Sequence, residues 1–334
     1  MNGKKLEQFK KVGYYKKIKF FMDKIKNEFS WSKARDEIFQ NCLRQYYFHY
    51  YGAWGGWEKD ASKRIRELYI LKQLKKRNIW IGDIIHKCIK RSLENIRQGI
   101  PVLKKESIIS ITINMMRNEF RSSRARMFYN KPKSCALFEH EYDLKVSDNE
   151  WHDLAEHVKI CLENFYTSKI FEELKKLTSH DFLAIDSLNH FFLDKTKIWF
   201  SVDLAFKKDN KLIIMDWKTG KSVDKDNTIQ LTCYGIYFTN YFKYNPEDIE
   251  IIEYNLFSNE IVESKISTKK IEAVKDYILG SITDMKALLI DKDNNIPKPE
   301  KEFKKTDNEG KCFFCNYLKV CKPELTKKIN NKLH

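Results

Sequence analysis

Residues 197 to 220 read KIWFSVDLAFKKDNKLIIMDWKTG. Two runs rich in Ile, Val, Phe and Trp flank a polar KKDNK segment, and that pattern predicts a β-hairpin. Asp209-Asn210 fits a two-residue turn, because both residue types tolerate positive φ. A turn centred there puts Asp203 directly opposite Asp216. Residues so paired lie on the order of 5 Å apart at Cβ, where like charges destabilise a sheet. Lys218 is two residues beyond Asp216 and shares its face, while Trp217 points the other way. Either these side chains form a surface ion pair at a strand end, or the strand delivers them to a site. A divalent metal would offset both negative charges and suits carboxylate oxygens. Two carboxylates, a metal and a lysine suit phosphodiester hydrolysis. The metal polarises the phosphate and lowers the pKa of a bound water. The lysine orients that water or stabilises charge on the phosphorane.

The flanking sequence predicts an α/β fold. Its centre is a small mixed β-sheet flanked by helices, preceded by a large N-terminal helical portion and followed by a C-terminal cysteine tail. Residues 1–28 form a basic arm in which Tyr14, Phe20 and Phe21 alternate with lysines, either a solvated helix or a nucleic-acid contact. Residues 29–178 are helical in pattern. Ser30 and Ser32 suit a helix start, and Ile38, Cys42 and Gln45/Tyr46 share one helical face. GAWGG at 52–56 breaks that helix, and further helices are expected near 58–76, 79–97, 105–127 and 150–177. Residues 88–178 exceed what a minimal core needs and read as an arch over the site, admitting a single strand or an end. Residues 179–295 form the core: strands at FLAIDS (182–187), at the hairpin, at IEIIEYNLF (249–257) and at EIVESKIS (260–267), with helices near 225–242 and 269–290. Residues 296–334 form the tail.

Lysine and arginine number 62 against 46 acidic residues, a formal net charge of +16. That excess concerns partners, not fold, and nucleic acid is the commonest polyanion. Lysines of purely compositional origin would contribute to the same number. The chain is 42% hydrophobic and 14% aromatic, enough for a core and against wholesale disorder. It contains no apolar run long enough to span a membrane. The basic N-terminus lacks the apolar segment of a signal peptide. A cytoplasmic location follows as the expectation, with the eight cysteines reduced.

Asp203, twelve intervening residues and then Asp216-Trp217-Lys218-Thr219-Gly220 resemble the core of the PD-(D/E)XK nuclease superfamily, most closely its RecB-like branch. Gly82-x-x-x-His86 resembles that branch's upstream histidine motif, and Gln230-x-x-x-Tyr234 resembles its motif on the helix after the catalytic strand. The resemblance implies a restriction-endonuclease-like core. It implies Mg²⁺ or Mn²⁺ held by His86, Asp203, Asp216 and the Trp217 carbonyl. It implies Lys218 acting on the attacking water, and Gln230 and Tyr234 positioning the nucleic-acid backbone and supporting Lys218. One departure is Ser201, where the branch often has glycine; it alters backbone room and no ligand. Taken alone, a helical histidine is more often a packed or surface residue, and Gln-x-x-x-Tyr is usually packing. Glu139, His140, Glu141 and Asp186 are accessory polar candidates only.

Cys312-x2-Cys315-x5-Cys321 is a tight trio that needs a fourth ligand, and Cys42 is the candidate. Thiolate ligation of this kind serves structural zinc or an iron–sulfur cluster. RecB-like iron–sulfur nucleases carry a similar trio and a cysteine before a Tyr/Phe-rich helix. The chain is similar in this to the CRISPR-associated adaptation exonucleases and the AddB-type nuclease domain. The resemblance therefore implies a [4Fe–4S] cluster on Cys42, Cys312, Cys315 and Cys321, stapling the tail to the first helices. Cys88, Cys135, Cys161 and Cys233 lack such spacing and read as small buried hydrophobes.

The expected activity is a metal-dependent DNA nuclease, with an exonuclease on single strands or ends in repair, recombination or defence as the finer reading. The alternatives are a non-catalytic DNA-binding subunit of the same fold and a zinc-stapled nucleic-acid module. No G-x4-G-K-[ST] motif occurs, so a helicase or other motor would be a partner.

Overall fold

The computed structural model describes residues 25–221 and 227–329. The basic arm, with Tyr14, Phe20 and Phe21, lies outside the described residues except for its last four positions.

The chain enters with strand β1 (Ser30–Trp31) and helix α1 (Lys33–Asn41). Ser32, not Ser30, caps α1, accepting a hydrogen bond from the Arg35 amide. The single helical face expected through Cys42 is interrupted. Cys42 is extended, at φ −166°, and separates α1 from α2 (Leu43–Tyr47). The reason lies in the tail: the Arg44 amide donates to Lys304 O at 3.1 Å instead of back into the helix. A π-helical turn, Phe48–Gly52, then runs into the glycine-rich break. Helix α3 (Lys63–Lys72), α4 (Arg77–Arg97) and α5 (Lys105–Arg124) follow. Next come a short α6 (Phe138–Glu141) and α7 (Asp148–Thr167). The continuous helix expected over 150–177 stops at Thr167, and α8 (Lys169–Leu174) begins anew. Ser168 causes both events, since its hydroxyl donates to Phe165 O and accepts from the Phe171 amide.

The sheet contains β2 (Phe182–Leu193), β3 (Thr196–Lys208), β4 (Lys211–Lys218), β5 (Ile249–Asn255) and β6 (Glu260–Lys265), with α9 (Thr228–Phe242) crossing from β4 to β5. β2, β3 and β4 are antiparallel neighbours, β5 runs parallel to β4, and β6 closes the order antiparallel. β1 pairs in parallel with the start of β3. The sheet is therefore mixed, as the sequence predicts. Lys208 pairs with Lys211 across Asp209 (φ 49°) and Asn210 (φ 63°), a two-residue turn with both centres left-handed. α10 (Thr268–Lys286) is shorter than expected. Residues 289–291 instead form β7 (Leu289–Asp291), which pairs with β8 (Ile296–Pro297) across the anticipated boundary between core and tail.

Each sheet face has its own core. On one, Ile84, Ile85 and Ile89 of α4, Ile113 of α5 and Val158, Cys161 and Phe165 of α7 meet Leu204, Ile213, Met215 and Trp217. Residues 88–178 thus contribute to the packed layer on this face of the sheet. On the other face, Ile236 and Phe238 of α9 and Ile278 of α10 meet Val202, Leu212, Ile214 and Ile251. A third cluster joins Phe48, Leu68, Leu71, Phe128 and Phe138 to Phe313, Tyr317, Leu318 and Leu325 of the tail. Its tail helices are α11 (Glu309–Cys312), α12 (Leu318–Cys321) and α13 (Pro323–Thr326).

The turn register carries a testable consequence. Asn210→Val places a β-branched residue at φ 63° and is expected to cost about 1–2 kcal/mol. Asn210→Gly is expected to raise stability slightly. The midpoint of urea unfolding checks both, and equal midpoints for the three proteins would contradict the turn.

Candidate active site

β4 and β5 are parallel, and α9 connects them, so their carboxyl ends leave an open mouth where α/β sheets place ligands. Asp216 and Lys218 stand there. Trp217 anchors the strand end between them, buried against Phe165 and Tyr254.

Asp203 occupies a kink in the hairpin. The last β3–β4 pair is Leu204–Met215, and the next step would be Asp203–Asp216. There the ladder gives way to the side chain: the Trp217 amide donates to Asp203 Oδ2 at 2.8 Å. Asp203 Oδ1 meets His86 Nδ1 of α4 at 3.2 Å. Gly82 lies one turn before His86, and a Cβ there would stand 3.1 Å from Thr219 Oγ1. The Gly-x-x-x-His spacing thus has a structural reason. The glycine lets α4 approach the end of β4, and the histidine one turn later reaches Asp203.

Asp216 is 2% exposed. Its Oδ1 accepts from Gln230 Nε2 at 3.1 Å and from the Tyr234 hydroxyl at 3.1 Å, and Gln230 also donates to Tyr234. Lys218 Nζ lies 2.5 Å from the buried Asp216 Oδ2 and is its charged partner. Burial raises the Asp216 pKa, the Asp203 charge raises it further, and Lys218 opposes both. Burial also pushes the Tyr234 phenol well above its ordinary range, aided by Asp216 and Asp203, which keeps it a neutral donor. At His86 burial works against the imidazolium, but the charge and hydrogen bond of Asp203 outweigh it and lift the pKa to about 9.

Among the described residues no three His, Cys, Asp or Glu side chains form a ready-made metal centre. As they stand, His86 engages Asp203, and Lys218 engages Asp216. The donor set nonetheless fits a hard divalent cation. His86 meets Asp203, whose charge acts on the buried Asp216, and Asp216 Oδ2 already attracts one cation, the Lys218 ammonium.

Several residues at this mouth escaped sequence reasoning. Glu253 pairs in register with Asp216 on β5, lies 4.0 Å from Lys218 Nζ, and accepts from Asn227. His157 Nε2 binds Thr219 O at 2.6 Å while stacked on Phe257, and Asn255 donates to Gly220 O, so both fix the TG turn. Among the accessory candidates, Asp186 pairs with Lys90 beside the site. Glu139 instead caps α4 through the Arg77 amide, Glu141 pairs with Lys319, and His140 Nδ1 meets Ser123.

A sequence model of the PD-(D/E)XK nuclease superfamily, described by that name, matches residues 30–322. The chain belongs to that superfamily. PD-(D/E)XK proteins are usually nucleases, with DNA as substrate and Mg²⁺ or Mn²⁺ as the general cofactor. No curated protein matches the chain in sequence. Nine chains of solved structures match. One is the crystal structure of SSO0001, at 12% identity and a TM-score of 0.25, covering 52% of this chain and 81% of that one. Among the described residues no helix is long and apolar enough to cross a membrane.

Away from this mouth, Cys42, Cys312, Cys315 and Cys321 line one cavity with Phe48, Tyr317 and Leu318. Burial pushes the Cys315 thiol up to about 12, and the neighbouring thiols at 42, 321 and 312 add to the shift. Lys305, Lys311 and Lys322 line the same cavity. The four thiols thus share one cavity without forming a ready-made metal centre. Of the other cysteines, Cys161 and Cys233 are buried as expected, but Cys88 and Cys135 are only half-buried. Cys88 has polar neighbours that account for this, accepting from Thr112 at 3.4 Å and facing the Tyr166 hydroxyl.

The raised His86 pKa predicts a pH dependence of stability in the metal-free protein. The imidazolium contributes fully below pH 6.5, its unfolded value, and the contribution is lost as pH rises through about 9. Its upper bound is about 3 kcal/mol. In EDTA, His86→Gln should be less stable than wild type at pH 6, and the gap should close by pH 10. A gap constant across that range, measured by urea unfolding, would rule out the His86–Asp203 ion pair.

Proposed function

We propose that this protein is a metal-dependent deoxyribonuclease of the RecB-like kind, working on single strands or DNA ends in repair, recombination or defence. The observation that carries the reading is the buried Asp216 carboxylate, with the Lys218 ammonium 2.5 Å from its Oδ2 and the Asp203 charge close enough to raise its pKa. A packing role explains none of these charges so close together, whereas a cation site uses all of them.

His86, Asp203, Asp216 and the Trp217 carbonyl would hold Mg²⁺ or Mn²⁺. When bound, such an ion supplies Lewis acidity toward a phosphoryl oxygen and acidifies water. The protein's own residues do the rest. Gln230 and Tyr234 hold Asp216 by Oδ1, which leaves Oδ2 to Lys218 and to the ion; they would also position the strand. The Trp217 amide fixes the Asp203 rotamer. Lys218 is half-exposed and reaches out of the strand end, where its ammonium orients the attacking water and offsets charge growing on phosphorus. The water oxygen bonds to phosphorus as the bond to the departing strand breaks; the water's proton passes to solvent, and the leaving oxygen takes one up from solvent. Cys42, Cys312, Cys315 and Cys321 would hold a [4Fe–4S] cluster, with zinc as the other candidate for the same thiols. Its part is to reinforce the seam between tail and first helices.

The test is cleavage of labelled linear single- and double-stranded DNA with Mg²⁺, Mn²⁺ or EDTA, using protein purified without air. Cutting should need the metal and fall about 100-fold or more in Lys218→Ala. Binding should weaken steeply with salt, as phosphate contacts require. Absence of cutting by folded, metal-loaded wild type on either substrate would favour a DNA-binding subunit instead. Cys312→Ala should be colourless, iron-poor and lower in Tm than wild type. A colourless wild type with stoichiometric zinc would replace iron–sulfur by zinc, and an unchanged Tm would remove the staple.

A further inference from the structure

The β2–β3 hairpin changes face as it passes the active site. Ile185 and Leu204 lie in the core under α4, whereas Phe191, Ile198, Phe200 and Val202 lie in the opposite core under α9 and α10. The change falls between Ile185 and Asp186 on one strand and between Asp203 and Leu204 on the other, with Asp186 at φ 38°. Beyond it, alternation puts Asp203, Ser201, Trp199 and Lys197 of β3 on the α4 side, and Leu188, His190 and Phe192 of β2 beside them.

Helix α4 covers only the near end of this strip, through His86 to Asp203 and Lys90 to Asp186. Farther out the strip is open. Leu188 is 67% and Phe192 53% exposed. His190 pairs with Trp199 across the strands, their rings 4.9 Å apart, and His190 lies 5.4 Å from the Phe192 ring. Lys197 Nζ stands 5.3 Å from the Trp199 ring. Trp199 is four residues from Asp203, about 13 Å along an extended strand.

Resting on the nuclease reading, we propose that this strip is a stacking platform for the unpaired bases of a single-stranded DNA whose scissile phosphate sits at Asp203 and Asp216. Three features carry it. The strip is continuous with the catalytic carboxylate on one strand face. In the strip, Leu188 and Phe192 stand exposed, where large apolar side chains are a liability unless something covers them, and the half-buried His190 and Trp199 rings lie beside them. Its lysine, and the +16 net charge of the chain, match a phosphate backbone. Stacking on aromatic rings is tolerant of sequence, because every base has a π-face. It also discriminates by strandedness: bases in a duplex are already stacked on each other and cannot lie on Trp199 without unpairing. The platform therefore selects single strands, while the phosphates alone would accept either form.

The experiment is binding in EDTA, where nothing is cut, read by fluorescence anisotropy of labelled single strands and duplexes. Trp199→Ala should weaken single-strand binding about 5- to 100-fold and leave duplex binding unchanged. Trp199→Phe should keep most of the affinity. A strand with abasic sugars should bind wild type less tightly than the intact strand, but the two should bind Trp199→Ala alike. Phe192→Ser, at an exposed position, serves as a second variant should Trp199→Ala fold poorly, with the same direction expected. Equal single-strand binding by wild type and variants, or a loss shared equally by duplex, would overturn the platform. Metal-dependent cleavage by wild type is scored separately. Cleavage without the base-dependent effect rejects the platform alone. The base-dependent effect without cleavage rejects the nuclease reading while leaving the binding surface.

Discussion

Two carboxylates of like charge, one step apart across neighbouring strands, constrain everything around them. A sheet does not tolerate that apposition without compensation. Here the ladder stops one pair short of it, and Asp203 turns its side chain onto the Trp217 amide. Each acid is then held by a cation from a different place, His86 from a helix of one face and Lys218 from the same strand. Gln230 and Tyr234 come from the helix of the opposite face. The site is thus the point where both covering layers reach the sheet. The parallel step from β4 to β5 keeps that point open to solvent.

The tail imposes a second constraint. Its seam with the first helices is hydrogen-bonded without any help from the thiols. Arg44 binds Phe303 O and Glu300, Asn316 donates to Leu74 O, and the Tyr142 hydroxyl donates to Asn316 O. These bonds bring Cys42 within reach of Cys312, Cys315 and Cys321 although they are far apart in sequence. A metal centre there would reinforce a junction that the polypeptide already makes. Because loop-closure entropy grows slowly with length, long separation does not by itself make the junction costly.

Legibility in the sequence followed the range of the physics. The hairpin was readable because a two-residue turn at Asp209-Asn210 sets the register of both strands locally. The helix carrying His86 was readable from its apolar period, and only the family resemblance of its Gly-x-x-x-His motif implied a tie to the strand end. Glu253 was not readable. A parallel strand reached through a helical crossover has no short turn to fix its register, so nothing local says which residue will face Asp216. The breaks at Cys42 and Ser168 were missed for related reasons. One depends on an amide bonded to the distant tail, and the other on a serine that caps in both directions.

The sequence by itself determined the mixed α/β class, the hairpin, the order of the acidic, lysine, histidine and glutamine–tyrosine motifs, and the cysteine trio. Those are properties of local period and spacing. Only the tertiary structure decided that His86 closes on Asp203, that Asp216 is buried between Lys218 and the Gln230–Tyr234 pair, and that Cys42 faces the trio. It also decided that an aromatic strip runs out from Asp203 on the uncovered face. That strip exists because the hairpin changes face at Asp186 and Asp203. A change of face is a matter of long-range packing against two cores, which no window of neighbouring residues contains.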